Sequence, residues 1–439
     1  MPSSRESAFR AIVAVERDRA VRIDEGLKAD ELTPVERDLA LELARGVERK
    51  RRLLDLVINE LAARQPPRDP YLRSALRLGA YQVLFLTRIP SHAAVNETVK
   101  LVRHGRGMVN AVLRRLISLV QQRPPDPAQA RREIELPEGR TLALERDVLP
   151  DMAESPAEAT AILHGLPSFL VERWVTTHGL PVATQIARAS SHKPCVSLRA
   201  NRLRCTAEEL AFQLEKEGVE TQPSEHPRML RWTGGASPFS TQAMNDGLFL
   251  AQDPTALRAV DALEPREGEV LLDLCAAPGG KATALAEAVA PTGCVHAFDP
   301  HPGRREKIQE NAIRLGLEKV LSIHGDLATL PLGDGALADV PCSNTGVLSR
   351  RVEVRRRISQ AAIEGLARKQ RGILEDTMAR VRPGGRVVYS TCSLEFEENE
   401  DVVAASAGRL IRDELTLPDP PHHDGGYFAV LQVSGGSAV

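Results

Sequence analysis

Aromatic residues make up only 3 % of this 439-residue chain, and neither sign of charge dominates, with 57 Lys and Arg against 59 Asp and Glu. A net charge of −2 argues against a uniformly basic nucleic-acid binder and leaves only local patches. The six cysteines (195, 205, 275, 294, 342 and 392) include no CxxC pair, so no zinc site or other metal is expected, nor a disulfide framework, and the thiols read as reduced. No apolar run approaches the roughly 20 residues that span a bilayer. The start, Met1-Pro2-Ser3-Ser4-Arg5-Glu6, continues into Glu16, Arg17, Asp18 and Arg19 without the apolar core of a secretory signal. A cytoplasmic, monomeric protein away from membranes is expected. Also missing are a G-x-G-x-x-G fingerprint and a P-loop, which disfavours NAD and ATP.

The length predicts about three domains at roughly 150 residues each. Residues 1–122 read as an all-helical bundle. Ser3 and Glu6 have capping-box spacing, Thr33-Pro34-Val35-Glu36 adds a second box, and Val35, Leu39, Leu43, Val47 and Leu72, Leu76, Ala80, Leu84 repeat every four residues. Residues 123–164, with Pro124, Pro125, Pro127, Pro137, Pro150 and Pro156, read as a linker. A small α+β (RRM-like) subdomain is predicted over 165–250, from the alternating Val196-Ser197-Leu198-Arg199 and the box Thr206-Ala207-Glu208-Glu209. From 251 to 434, apolar runs such as Val270-Leu271-Leu272, Val295-His296-Ala297-Phe298, Leu321-Ser322-Ile323 and Val387-Val388-Tyr389 alternate with helical stretches. That alternation predicts an α/β, Rossmann-like parallel sheet.

The first of these strands ends in Asp273 and runs into the turn Cys275-Ala276-Ala277-Pro278-Gly279-Gly280, with Lys281 opening a helix. Small residues let a ligand approach the backbone, and the helix N-terminus favours a carboxylate or phosphate. Asp299 ends the second strand about 20 residues on, where an acid holds ribose hydroxyls, and Asp326 ends the third. Without a dinucleotide or P-loop signature, S-adenosylmethionine (SAM) is the better-fitting cofactor.

Two cysteines also stand at strand ends, in Asp339-Val340-Pro341-Cys342 and Tyr389-Ser390-Thr391-Cys392, where a parallel sheet presents ligands at its carboxyl edge. Beside a methyl donor, a thiolate adding to carbon 6 of cytosine makes carbon 5 nucleophilic, and a second thiol could assist release. Asp339 could hydrogen-bond the amino edge of the base. An attacking thiol needs an electropositive setting, for which Lys281, the loop amides and the arginines 350, 351, 355, 356 and 357 are candidates. That run, and Arg49-Lys50-Arg51-Arg52, are also the candidate RNA patches.

The motifs at 273–281, 339–346 and 389–394, followed by Glu397-Glu398-Asn399-Glu400, resemble those of the RNA 5-methylcytosine methyltransferases of the NOL1/NOP2/Sun group. Leu78-Gly79-Ala80-Tyr81-Gln82, Ala94-Val95-Asn96-Glu97 and Val109-Asn110-Ala111-Val112-Leu113-Arg114 are similar to a NusB-like RNA-binding domain. The combination resembles the bacterial RsmB (Sun, Fmu) subfamily. The resemblance implies SAM-dependent methylation of carbon 5 of a cytosine in 16S rRNA, free or in an assembling small subunit. It implies a SAM site at Cys275, Ala276, Ala277, Pro278, Gly279, Gly280, Lys281, Asp299, Asp326 and Asp339, with Cys392 as nucleophile and Cys342 aiding release. Gly333-Asp334-Gly335-Ala336-Leu337-Ala338 departs from the family pattern and predicts a short or altered fourth strand. Alternative readings are a non-catalytic NusB-like binding protein, or a methyltransferase acting on tRNA or another rRNA position.

Overall fold

A computed structural model describes residues 3–18, 21–27, 32–62 and 67–434; Met1, Pro2 and Arg19, cited above, lie outside them. The chain forms two compact units, one comprising Met1–His192 with Arg351–Arg357, the other Lys193–Arg350 with Ile358–Val439. No helix among the described residues is long and apolar enough to cross a membrane.

The first unit is helical for the reasons its sequence suggests. Ser3 caps Ser4–Arg17, and Thr33 and Glu36 form a reciprocal capping box on Pro34–Arg49, with proline at the first helical position. Leu43, Val47, Leu72, Leu76, Ala80 and Leu84 are buried, whereas Val35 in the first helical turn is 80 % exposed. Arg77 sits in the middle of Pro70–Phe85, 2 % exposed, yet fully engaged by Asp55 at 2.7 and 2.9 Å and Glu16 at 3.1 Å.

Residues 123–164 are not a linker. Val120–Gln121, Glu133–Leu136 and Arg140–Ala143 pair as an antiparallel sheet, and Ile134, Leu136, Leu142, Leu144 and Leu149 join the core of the bundle. The prolines that suggested irregular chain punctuate short elements: Pro127 and Pro137 each open a 3-10 turn between strands. Three helices follow, Pro156–His164, Ser168–His178 and Leu180–Ser190, all within the first unit.

The basic runs also lie differently from the sequence expectation. Arg49 is 3 % exposed and bonded to Glu42, Arg51 and Arg52 pair with Glu16 and Glu158, and Lys50 donates to the Leu163 carbonyl at 3.2 Å. In the second run Arg355 is 6 % exposed and donates to the Ser190 carbonyl, while Arg356 donates to the Val15 carbonyl at 2.7 Å and faces Glu16 at 3.3 Å. These side chains hold the first unit together and do not form an open phosphate-binding strip.

The second unit carries a four-stranded antiparallel sheet, ordered Val219–Pro223, Met229–Gly235, Val196–Ala200, Phe249–Ala251, with the Thr206-capped helix Ala207–Lys216 against it. Beside it in sequence is a seven-stranded sheet. Its spatial order is Leu321–His324, Cys294–Phe298, Val270–Leu274, Gly333–Asp339, Val381–Thr391, Gly426–Gln432, Arg409–Thr416. The first five run parallel, Gly426–Gln432 is antiparallel to them, and Arg409–Thr416 pairs antiparallel with Gly426–Gln432. Alternation sends Leu271, Leu337 and Val388 to one face and Leu272, Ala336, Ala338 and Tyr389 to the other, so both faces are covered.

The expected shortening of the fourth strand does not occur. Gly333–Asp339 has seven residues at the centre of the sheet, paired on both sides, with one register irregularity between Gly333 and Gly335. Its glycines suit close packing: a Cβ at Gly335 would lie 3.2 Å from the Arg386 carbonyl. Asp334 is anchored by accepting the Val270 amide at 2.9 Å and by Arg382.

Candidate active site

Strand order creates the site. The sheet reverses direction of growth between Val270–Leu274 and Gly333–Asp339, so the loops at their carboxyl ends diverge and leave a crevice. At the carboxyl ends of these strands and of Val381–Thr391 stand the Cys275–Lys281 loop, Asp339 and both candidate cysteines.

Left-handed backbone shapes the loop: Cys275 has φ +78° and Gly279 φ +104°. Cys275 tolerates that conformation because its amide and that of Ala276 both donate to the Phe298 carbonyl at 3.0 Å. Gly279 needs to be glycine, since a Cβ there would be strained and would meet the Ile308 backbone at 3.3 Å. The turn delivers the chain into Gly280–Val289, whose first amides have no side-chain cap. Behind the loop lies Arg199, wholly buried. It donates to the Gly280 carbonyl at 2.7 Å, to Thr283 at 3.1 Å and to the equally buried Glu287 at 2.7 Å. Nothing in its strand pattern marked it.

The acids differ in their surroundings. Asp299, 1 % exposed, accepts the His301 amide at 2.9 Å on one oxygen and turns the other toward Arg304 at 3.5 Å. Asp326 is exposed and accepts the Ala328 amide at 2.9 Å. Asp339 pairs with Lys281 at 2.7 Å. Burial opposes the Lys281 charge, but Asp339, with Asp273 and Cys392 behind it, holds its pKa above the ordinary value. Lys281 is therefore a cation held at the carboxyl edge beside Asp339. Arg350 is held by Asp424 and by Asp253 at 3.1 Å, while Arg355 is buried in the first unit and Arg356 is engaged there by the Val15 carbonyl.

Asp273, which sequence reasoning noticed but did not place in the site, is completely buried, and neither carboxylate oxygen has a hydrogen-bond partner among the described residues. Burial, reinforced by Asp339, pushes its pKa up to about 8. An unfolded aspartate titrates near ~3.9. Between the two values only the folded protein keeps the proton, so stability is full below the lower value and falls as pH rises toward about 8. One such proton gives a slope of about 1.4 kcal/mol per pH unit. Urea denaturation across this window is expected to show that extra slope in the wild type relative to Asp273→Asn; equal slopes would mean that the carboxyl is ionised in the fold.

The two thiols meet because their strands are neighbours in register. Asp339 pairs with Ser390, and the Val340 amide donates to the Ser390 carbonyl at 3.0 Å. A few residues further on, the Cys342 and Cys392 sulfurs are 2.8 Å apart. The Cys392 amide also points at the Cys342 sulfur, 3.3 Å away. Asn344, in left-handed backbone at φ +64°, bridges the pair: it donates to the Cys342 carbonyl at 2.6 Å and accepts from the Cys392 thiol at 3.5 Å. Cys342 is 8 % exposed. Its contact with Cys392 and its burial drive its pKa well above the thiol range, so it stays a thiol near neutral pH. Cys392 is the more accessible sulfur.

Residues 260–422 match the family described as 16S rRNA methyltransferase RsmB/F, residues 2–118 the NusB family, and residues 166–233 the ferredoxin-like domain of RsmF/B-like methyltransferases. The probable ribosomal RNA small subunit methyltransferase B of Synechocystis sp. is 32 % identical over 431 residues, covering 94 % of this chain and 90 % of that protein. Ribosomal RNA small subunit methyltransferase B of Serratia proteamaculans is 32 % identical over 422 residues, covering 90 % of each. The solved structure of PH0851 has the same fold, with a TM-score of 0.73 at 24 % identity over 97 % of this chain and 98 % of that one. Identity at this level over nine-tenths of the length, with matching domains in matching order, means that the chain belongs to the RsmB/F family of 16S rRNA methyltransferases.

Proposed function

We propose that the protein transfers a methyl group from SAM to carbon 5 of a cytosine in 16S rRNA, through a covalent bond between Cys392 and carbon 6. The observation that carries this reading is the pair of sulfurs 2.8 Å apart at the carboxyl edge, next to a loop and strand-end acids suited to an adenosine cofactor. The acid set fits SAM: Asp299 keeps a buried oxygen without a hydrogen bond among the described residues, and both Asp273 oxygens are likewise open to a donor. Residues Cys275 to Lys281, Asp299, Asp326 and Asp339 would hold it, with Asp273 beneath. When bound, SAM supplies an electrophilic methyl group on a sulfonium.

The chain's residues do the rest. Cys392, the more accessible thiol and near the Lys281 charge, adds as thiolate to carbon 6, which raises electron density at carbon 5. Asp339 and Lys281, locked together, present a carboxylate oxygen to the amino edge of the base. Methylation leaves a proton on carbon 5. Release passes that proton to a base such as water, and the carbon 6 to sulfur bond breaks as its electron pair goes to Cys392. Cys342, adjacent to that sulfur and still a thiol, hydrogen-bonds the leaving thiolate. The target base must leave its stack, at a cost of a few kcal/mol.

Denaturing gels of enzyme incubated with SAM and 16S rRNA test the two roles. Cys342→Ala is expected to accumulate a protein–RNA adduct, and Cys392→Ala none. An adduct that persists in Cys392→Ala and vanishes in Cys342→Ala would exchange the assignments. Bisulfite sequencing of rRNA from cells lacking the protein would locate the nucleotide.

A further inference from the structure

Both thiol-bearing loops rest on one carboxylate. Glu398, in the short 3-10 turn Phe396–Glu398, has no exposed surface. One of its oxygens accepts the Ser343 amide at 2.8 Å and the Gln370 side-chain amide at 3.0 Å; the other accepts the Ser393 hydroxyl at 2.5 Å. Ser343 follows Cys342 in the chain and Ser393 follows Cys392. Further bonds close the frame. Gln370 also donates to the Pro341 carbonyl at 2.9 Å, the Ser343 and Ser393 hydroxyls are 3.1 Å apart, and the Glu398 carbonyl accepts the Tyr389 hydroxyl at 2.6 Å.

A buried carboxylate is costly unless donors satisfy it, and here the donors come from three separated stretches of chain that all border the thiols. The fold could have tied these loops together with neutral groups. A carboxylate with two oxygens can instead accept from both loops at once, and it fixes the distance between them. Its own charge is also felt at Cys342.

We propose that Glu398 is a positioning residue that sets the separation of the Cys342 and Cys392 sulfurs by clamping the residue after each. This rests on the reading that those sulfurs do the chemistry, but the clamp itself can be measured without RNA. The probe is the diazene oxidant diamide. Each thiol gives up its hydrogen, the two sulfurs bond, and the diazene takes both hydrogens to become a hydrazine. The product is a Cys342–Cys392 disulfide, followed by mass spectrometry of the linked peptides.

The cross-link is expected to form at least tenfold more slowly in Glu398→Ala than in the wild type, with SAM affinity by calorimetry within about twofold because the cofactor loop is untouched. Glu398→Gln retains an acceptor for the Ser343 amide, and its side-chain amide can donate to the Ser393 hydroxyl, so it is expected to recover the rate to within about threefold of wild type. Because Glu398→Ala removes packing as well as hydrogen bonds, Ser393→Ala supplies a second arm. That variant cuts one side of the clamp and leaves the Glu398 side chain in place, and it too should slow cross-linking, by threefold or more. Methylation should fall in parallel in Glu398→Ala and Ser393→Ala. Wild-type cross-linking rates in both alanine variants would overturn the clamp. Slow cross-linking with undiminished methylation would instead uphold the clamp and overturn the role given to the sulfurs.

Discussion

Cys392→Ala is expected to lower single-turnover methyl transfer at least a thousandfold, about 4 kcal/mol or more of transition-state stabilisation. The size follows from the substrate. Carbon 5 of cytosine has little nucleophilicity until something adds at carbon 6, so loss of the adding group removes the reaction path itself rather than one of its accelerants. The partners of Cys392 explain why the loss should be clean. Its thiol touches Cys342 and Asn344, and its carbonyl accepts the Gly346 amide at 2.9 Å, a main-chain bond that alanine keeps. SAM binding, measured by calorimetry, should therefore stay within about threefold of wild type. A variant that retains a tenth of the wild-type rate would remove Cys392 from the nucleophile's role.

Arg199→Leu is expected to destabilise the protein by about 3–5 kcal/mol, the range found when one partner of a buried ion pair is removed. Arg199 and Glu287 are both fully enclosed, so the leucine variant leaves a carboxylate without its counter-charge, and the Gly280 carbonyl and Thr283 hydroxyl lose a donor. The damage falls at the start of the helix that follows the cofactor loop, so SAM affinity should drop as well. Replacing both members, Arg199→Leu with Glu287→Leu, should restore much of the stability because no buried charge is then stranded. The Gly280 contact would remain lost, so the double variant should recover stability more than SAM affinity. Chemical denaturation and calorimetry on the same three proteins measure both quantities; a single variant as stable as the wild type would show that the pair adds nothing net.

Much of the architecture was legible where local chemistry dictates local structure. Thr33 with Glu36 and Thr206 with Glu209 announce helix starts, and the four-residue spacing of Leu72, Leu76, Ala80 and Leu84 marks a buried face. Strand-end positions for Cys342 and Cys392 followed from the apolar runs before them. The 2.8 Å contact did not, because it depends on the parallel register of Asp339 with Ser390, which is a property of two segments together. The departure from the family's pattern misled in the fourth strand: Gly333-Asp334-Gly335 stands where the family has an aromatic-acid stretch, yet the sheet's interior uses glycine where a neighbouring backbone comes close. Prolines misled at 123–164 because they open three-residue turns between strands only two to four residues long. Charge misled most. Arg355 and Arg356 look like surface in a run of arginines, and only the tertiary fold shows the carbonyls and carboxylates that absorb them.

That the first unit is completed by Arg351–Arg357 also bears on how the protein is made. Synthesis delivers the helices up to His192 long before it delivers the heptapeptide that supplies Arg355 to the Ser190 carbonyl and Arg356 to Glu16. At roughly 5–20 residues per second, the nascent bundle waits on the order of ten seconds or more for those two arginines. Val352, which belongs to the bundle's apolar core, arrives equally late. A polypeptide cut after His192 would lack Val352 from its core and the arginine donors at 355 and 356, so the N-terminal unit is completed only by a segment far downstream in the chain.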